Sequence, residues 1–402
     1  MNQKTGVILA LFFLVLGGAL VMMRRPKSES EPNLTAVSAS ATPSAQPVLA
    51  ENRVKLPVLF STEKEEWIRE AVAGFSKLHP EIDVQLEGKG SLDSVRALLA
   101  GERKPVLWSP ADSLAVNLLS TQWQMQKSVD PVVHDGTTWP RSLLLTPLTF
   151  VAWDSRAKVL LGKESELRWK HLEEAVASKK GWAGLGGDPA WAFVKLGHTD
   201  PSKSNSGLQA LVLMAYGFYD RQAGLTVADV TAQPFQDFVK AIEAGRQGQD
   251  FGAASTGTFM QNLVRQGPSL YDVAIVYESL AISEIPRAQG RWESLRVLYP
   301  NINLWSDHPL CLLEGDWVTP AQKKAAVLLA DYLMSPAVQR AALKRGFRPG
   351  NLDVPVITTD TDNPFNKYKD LGVRVDVPRI AKAPEGAVLQ ALLQVYQRNL
   401  GN

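Results

Sequence analysis

Gly197-His198-Thr199-Asp200-Pro201-Ser202-Lys203-Ser204-Asn205-Ser206-Gly207, followed by Leu208-Gln209-Ala210-Leu211-Val212-Leu213-Met214-Ala215-Tyr216, is the stretch on which the reading of this chain turns. Leu208, Leu211, Val212, Ala215, Phe218 and Tyr219 recur at helical spacing, which predicts a helix packed on a core. The residues before it form a hydroxyl-rich turn with Ser202, Ser204, Asn205 and Ser206 as candidate N-caps. Trp191 to Gly197 reads as a short strand leading into that turn. A strand, a turn of small residues and a helix start leave backbone N–H groups beside side-chain hydroxyls, a setting for an anion or an oxygen-rich ligand. The same residues equally describe a well-capped helix with nothing bound.

Working outward, the 402 residues are 45% hydrophobic, 21% charged and near neutral at +2, which fits a globular chain of roughly two domains. The balance gives no electrostatic argument for nucleic acid, and no long basic run supplies one. Cys311 is the only cysteine, so no intrachain disulfide forms, and its apolar neighbours predict a buried, inert thiol.

Val7 to Met23 is an almost unbroken apolar run, close to the ~20 residues that cross a bilayer. It ends in Met22-Met23-Arg24-Arg25 instead of the small residues of a cleavage site, so an uncleaved membrane anchor over 1–25 is expected. No cysteine follows the run, which excludes a lipid anchor there. Charges flanking the run lean slightly towards a cytoplasmic body. Residues 26–52 are rich in Ser, Ala, Pro and Glu, the composition of a disordered linker. As a coil, its length would span roughly 30 Å.

From residue 53 a strand, polar turn and helix follow one another three times. Leu56–Phe60 leads to Ser61-Thr62 and the helix of Trp67, Ile68, Ala71, Val72 and Phe75. Ile82–Leu86 leads to Gly90-Ser91 and the helix of Val95, Leu98 and Leu99, and Pro105–Trp108 leads to Ser109-Pro110-Ala111 and a third helix. This predicts an open α/β sheet with ligand-side loops at the carboxyl ends of its strands. Trp139 to Trp153 holds an apolar strand that Pro147 interrupts. A second α/β portion follows, with Ser255-Thr256-Gly257-Thr258 ahead of a helix and Tyr271–Glu278 as the clearest strand. Thr319-Pro320 and Ser335-Pro336 start two more helices, the first with a stripe of Ala325, Leu328, Leu329, Tyr332 and Leu333. A last amphipathic helix carries Val388, Leu389, Leu392, Leu393, Tyr396 and Leu400.

Several of these segments resemble bacterial extracellular, periplasmic-type solute-binding proteins over residues 53 to 355. They are Trp108-Ser109-Pro110-Ala111, Thr199-Asp200-Pro201 with Ser204-Asn205-Ser206-Gly207, Ser255 to Phe259, Tyr277-Glu278, Leu304 to Pro309, and Leu333 to Gln339 with Gly346-Phe347-Arg348-Pro349. The nearest branch is similar to molybdate binders that accompany von Willebrand A domains. No Asp-x-Ser-x-Ser metal motif of that partner is present in this chain.

The resemblance implies a two-lobed type II periplasmic binding protein architecture of α/β class with a hinge. The first lobe would comprise 53–150 and, after a return, 305–402; the second would comprise 151–304. Carried over residue by residue, it gives Ser61, Thr62, Ser91 and Ser109 in the first lobe as ligand contacts. In the second lobe it gives Thr199, Ser204, Asn205, Ser206, Ser255, Thr256 and Tyr277. Each serine taken singly is also explained as a cap or a turn residue.

The implied function is extracytoplasmic capture of a small polar or oxyanion ligand for an ABC-type transporter, with no cofactor and with the anchor holding the body outside the cytoplasm. The export habit of the family outweighs the weak charge argument for a cytoplasmic body. The tryptophans, including Trp108, Trp139 and Trp153, would also suit a sugar or peptide cleft. The alternative is a scaffold of binding-protein shape that meets a von Willebrand A domain or another membrane partner. An enzyme is not expected: the five histidines have no metal-ligand spacing, and there is no nucleophile elbow, P-loop or dinucleotide fingerprint.

Overall fold

A computed structural model describes residues 53–136, 138–246, 255–377 and 379–399. The anchor and the linker expected over 1–52 lie outside the described residues. Among the described residues no helix is long and apolar enough to cross a membrane.

Eleven strands build two sheets among the described residues. The first draws on β1 (Val54–Phe60), β2 (Ile82–Gly88), β3 (Leu107–Ser109), β4 (Arg141–Ser142) and, from far along the chain, β10 (Pro309–Leu312), in the order β2-β1-β3-β10-β4. β1 runs parallel to β2 and β3, while β10 is antiparallel to β3 and β4. The second sheet is ordered β11-β5-β7-β6, from β5 (Leu144–Trp153), β6 (Leu196–Gly197), β7 (Val273–Tyr277) and β11 (Arg348–Pro349). β8 (Leu295–Leu298) and β9 (Trp305–Ser306) also pair with β5.

The alternation of side chains along each strand divides the core into layers. In β1, Leu56, Val58 and Phe60 face one apolar cluster with Trp67, Phe75 and Leu329, whereas Leu59 faces another with Trp108 and Leu114. In β7, Val273, Ile275 and Tyr277 share the cluster of Leu208 and Leu211, while Ala274 and Val276 turn to Phe259 and Ile282. β7 and the end of β1 are thus covered on both faces, which is why they read as apolar runs, whereas the edge strand β2 alternates with Asp83, Gln85 and Glu87.

Four expectations need correction. β5 continues through Pro147, because the chain changes partner there: Thr146 and Pro147 pair with β9, and Leu148 to Ala152 with β7. The missing N–H of proline falls where one ladder gives way to the next. The strand expected over 191–197 shrinks to Leu196–Gly197, since Pro189–Trp191 forms a tight turn and Ala192 takes φ +57°.

The helix Asn205–Tyr219 is buried from Asn205 through Tyr216, so it is a central helix and not one with a single apolar stripe. In the helix Pro320–Leu333 the buried face is Ala325, Ala326, Leu329, Ala330 and Leu333; Leu328 is exposed.

The helix Gly386–Asn399 closes the described chain. It packs against the helices Ser113–Lys127, Asn205–Tyr219 and Val227–Thr231, and so touches elements carried by both sheets. Its approach is fixed by Asn117 Nδ2 donating to Pro384 O (3.0 Å) and Tyr216 Oη donating to Lys382 O (2.6 Å). The path is close enough that a Cβ on Gly386 would lie 2.1 Å from Thr121 Oγ1.

Candidate functional site

The carboxyl ends of β1, β2, β3, β6 and β7 carry the loops that hold the polar residues, as expected for an open α/β sheet. The loops of the two sheets meet. Asn205 Nδ2 donates to Asp112 Oδ2 (2.6 Å) and to Tyr277 Oη (3.1 Å), joining the turn after β3 to the turn after β6 and the end of β7.

On the second-sheet side the hydroxyls form a chain. Thr199 Oγ1 and Ser206 Oγ are 2.7 Å apart, as are Ser206 Oγ and Thr256 Oγ1. Ser204 Oγ lies 3.4 Å from both Ser206 Oγ and Thr256 Oγ1. All four residues are buried. Ser204 occupies the N-cap position of the helix Asn205–Tyr219, yet its side chain caps no backbone N–H. The simple capping explanation therefore fails for Ser204. It holds for Ser255, whose Oγ accepts from Thr258 N in the ordinary way. The Thr199–Gly207 turn is tight: a Cβ on Gly207 would lie 2.5 Å from Thr199 O.

On the first-sheet side Ser61, Ser91 and Ser109 are buried, while Thr62 is exposed and takes no part in the network. Ser91 Oγ accepts from Ala111 N (2.9 Å) and so shapes the loop after β3. Ser61 Oγ accepts from Lys64 Nζ (2.6 Å), and Ser109 Oγ is buried without a hydrogen-bond partner among the described residues.

The sequence reading missed the charged groups around these serines. Lys64 is fully buried, and its Nζ also donates to Ser109 O (2.9 Å) and Pro110 O (3.2 Å) and lies 3.2 Å from His308 Nδ1. Burial lowers its pKa to about 7, although the Glu63 and Asp307 carboxylates pull the other way. Asp112 caps the helix Ser113–Lys127 through Leu114 N and Ala115 N, and burial, then the nearby Asp307, raises its pKa to about 8. Burial pushes Asp307 up as well and His308 down. Tyr277 is held as a phenol by burial and by the neighbouring Glu63 and Asp112 charges.

Glu63 places Oε2 in the interior without a hydrogen-bond partner among the described residues. The signal that could have found Lys64 and Asp112 is their position directly after strands β1 and β3.

Trp108, Trp139 and Trp153 are buried, so they serve the core and not a sugar or peptide cleft. Trp108 Nε1 donates to Ser94 Oγ (2.9 Å) and Trp153 Nε1 to Tyr271 O (2.7 Å).

Two of the sequence segments meet elsewhere. Arg348 grips Glu278 through Nε to Oε2 (2.8 Å) and Nη2 to Oε1 (2.7 Å), both residues being buried. Tyr299 Oη also donates to Glu278 Oε1. This cluster follows Tyr277 directly and fixes the end of β7.

A family model described as bacterial extracellular solute-binding protein matches residues 56–348. Among solved structures, the sulfate-binding protein SubI from Mycobacterium tuberculosis H37Rv is similar at 15% identity, covering 87% of this chain and 99% of that one, with a TM-score of 0.52. The periplasmic binding protein AfuA from Actinobacillus pleuropneumoniae is similar at 15% identity, over 86% and 99% of the two chains, with a TM-score of 0.54. The ferric binding protein from Campylobacter jejuni is similar at 11% identity, over 85% and 98%, with a TM-score of 0.57. At these identities the likeness is one of fold. No curated protein matches the chain in sequence. With the family model covering well over half of its length, the chain belongs to the bacterial extracellular solute-binding proteins.

Proposed function

We propose that this chain is a membrane-anchored, extracytoplasmic solute-binding protein that takes a small polar ligand, an oxyanion among the candidates, into an interlobe cleft and presents it to an ABC-type transporter. The lobes would be 53–150 with 305–402, and 151–304, the first lending β11 and the apolar residues Phe365, Tyr368 and Val373 to the second sheet. The observation that carries the reading is the hydrogen bond from Asn205 to Asp112 (2.6 Å), which joins the loop after β3, with buried Ser109, to the helix start of Ser204, Asn205 and Ser206 and to Tyr277. Ser204 supports it further, since a serine at an N-cap position that does not cap leaves first-turn N–H groups free for a ligand oxygen. Ser91 and Ser255 act in this reading by shaping their loops, and Thr62 at the rim.

The direct Asp112–Asn205 contact favours one second reading. A cleft that closes on its own side chains would suit a scaffold, and a von Willebrand A domain partner would go with the molybdate-binder-like branch suggested by Thr199–Gly207 and Leu304–Pro309.

The test is thermal melting of the full-length chain against small polar compounds. A ligand at a hundredfold excess over Kd stabilises by about 2.7 kcal/mol, a shift of a few degrees. Ser206→Ala should reduce that shift. A protein partner that binds through the same residues while no small molecule shifts the melting point would establish the scaffold instead. Proteolysis of spheroplasts tests the anchor: the body should be digested.

A further inference from the structure

We infer that His198 is a positioning residue for the hydroxyl-rich turn Thr199–Gly207: as a buried imidazolium it stands between Thr199 O and Glu243, and through Glu243 it ties that turn to Tyr396 on the helix Gly386–Asn399. That the turn meets a ligand rests on the reading above; the tie itself does not.

His198 follows β6 directly and is buried. Its Nδ1 lies 2.8 Å from Thr199 O, and since a carbonyl oxygen only accepts, Nδ1 carries a proton. Its Nε2 lies 2.7 Å from Glu243 Oε1, off the line of a straight hydrogen bond, and neither atom has another partner among the described residues. Two buried lone pairs at that separation would repel, so a proton lies between them.

The surroundings of Glu243 decide which side owns it. Arg246 Nη1 lies 3.3 Å from Glu243 Oε2, and Tyr396 Oη donates to the same oxygen (3.3 Å), so the carboxylate form is the one served. Burial works against that charge, yet His198, Arg246 and Tyr396 together hold the carboxyl below the usual carboxylate range. The proton belongs to the ring, and with both nitrogens occupied the ring is charged. Asp200 adds a second carboxylate near Arg246 and Tyr396, with Oδ1 turned to Ser202 N and Oγ and Oδ2 paired with Lys203 Nζ (3.5 Å).

Thr199 is the residue this arrangement holds. Its carbonyl is fixed by His198 on one side and by the close approach of Gly207 on the other, while its Oγ1 heads the hydroxyl chain to Ser206 and Thr256. At the far end Tyr396 Oη accepts from Arg246 Nη1 (2.6 Å) as it donates to Glu243. A buried row of side chains thus runs from the helix that touches elements of both sheets to the turn that carries the hydroxyls.

Nitrogen resonances of isotope-labelled histidine and amide hydrogen exchange, both on the full-length chain in detergent, test this. The signal lost in His198→Gln identifies His198, which should show both ring nitrogens protonated in neutral buffer. Tyr396→Phe, which removes a single hydroxyl, should speed exchange across Thr199–Gly207 by roughly 5- to 10-fold and leave the distant strand β2 unchanged. Glu243→Ala should do the same or more. Glu243→Gln offers Nε2 an amide donor, so the ring signal should turn neutral while the turn exchanges as in the wild type, a rescue that a merely space-filling role would not produce. A neutral His198 in the wild type, or a turn indifferent to both Tyr396→Phe and Glu243→Ala, would overturn the inference. Faster exchange in the turn with no small molecule found to bind would keep the positioning role and fail the interlobe-site reading alone.

Discussion

Lys64 and Asp112 are ionisable groups that the same burial drives in opposite directions. Asp112 moves from 3.8 to about 8, so between those values the folded chain holds a proton that the unfolded chain has released, and its contribution to stability falls as pH rises. Lys64 moves from 10.5 to about 7, so over that interval the unfolded chain holds the extra proton and stability rises with pH. The two slopes oppose each other where the windows overlap, between about pH 7 and about pH 8. Asp112→Asn should flatten the fall below that overlap, and Lys64→Met the rise above it, in urea midpoints followed across pH. Profiles parallel to the wild type would show that neither group titrates as described. In the sequence Lys64 lies between Glu63 and Glu65 and reads as the solvated start of a helix. Only the fold shows that the turn Thr62–Lys64 tucks it under the loop of Ser109 and Pro110.

At the scale of elements, two glycines at helix starts make a contrast. A Cβ on Gly207 would press into the backbone of Thr199, Asp200 and Pro201, whereas one on Gly257 would meet nothing nearer than Ser255 Oγ at 3.9 Å. Gly207→Ala should therefore cost about 1–3 kcal/mol and disturb the hydroxyl chain. Gly257→Ala should be neutral or stabilise by about 0.5–1 kcal/mol. Equal effects in chemical denaturation would refute the difference in crowding.

The strand–turn–helix rhythm from Val54 to Lys127 was legible because each strand is an apolar run or, in β2, an alternating one, and each turn carries its cap or glycine. β9 and β11 were not, since a two-residue strand has no period to detect, and β6 showed only as the end of a longer expected strand. The buried hydroxyls could be named from the sequence as candidates. Their use could not, because the capping role of Ser255 and the non-capping role of Ser204 depend on a hydrogen bond and not on residue type.

At the scale of the molecule, the pair of Glu278 and Arg348 joins two parts of the chain 70 residues apart. Arg348 Nη2 also donates to Arg374 O (2.7 Å), and Arg348 lies over the rings of Trp305 and Phe365, so one guanidinium organises the segment after β11 against the second sheet. Removing one partner leaves a buried charge alone. Glu278→Gln and Arg348→Met should each cost about 3–5 kcal/mol, with the double variant far less damaged than the sum. Additive losses in urea unfolding would mean that the two side chains act independently.

The helix Gly386–Asn399 lies across helices carried by both sheets, and a part that spans a joint acts as a brake as well as a brace. If the chain binds its ligand as proposed above, parting of the halves would have to slide Leu389 and Leu392, both buried, off a neighbour before the ligand escapes. Residence time would then be governed by an apolar contact remote from the ligand. Leu389→Ala should lower global stability by about 2–5 kcal/mol and quicken dissociation more than association in stopped-flow measurements. An unchanged off-rate would mean that the helix travels with one half and restrains nothing.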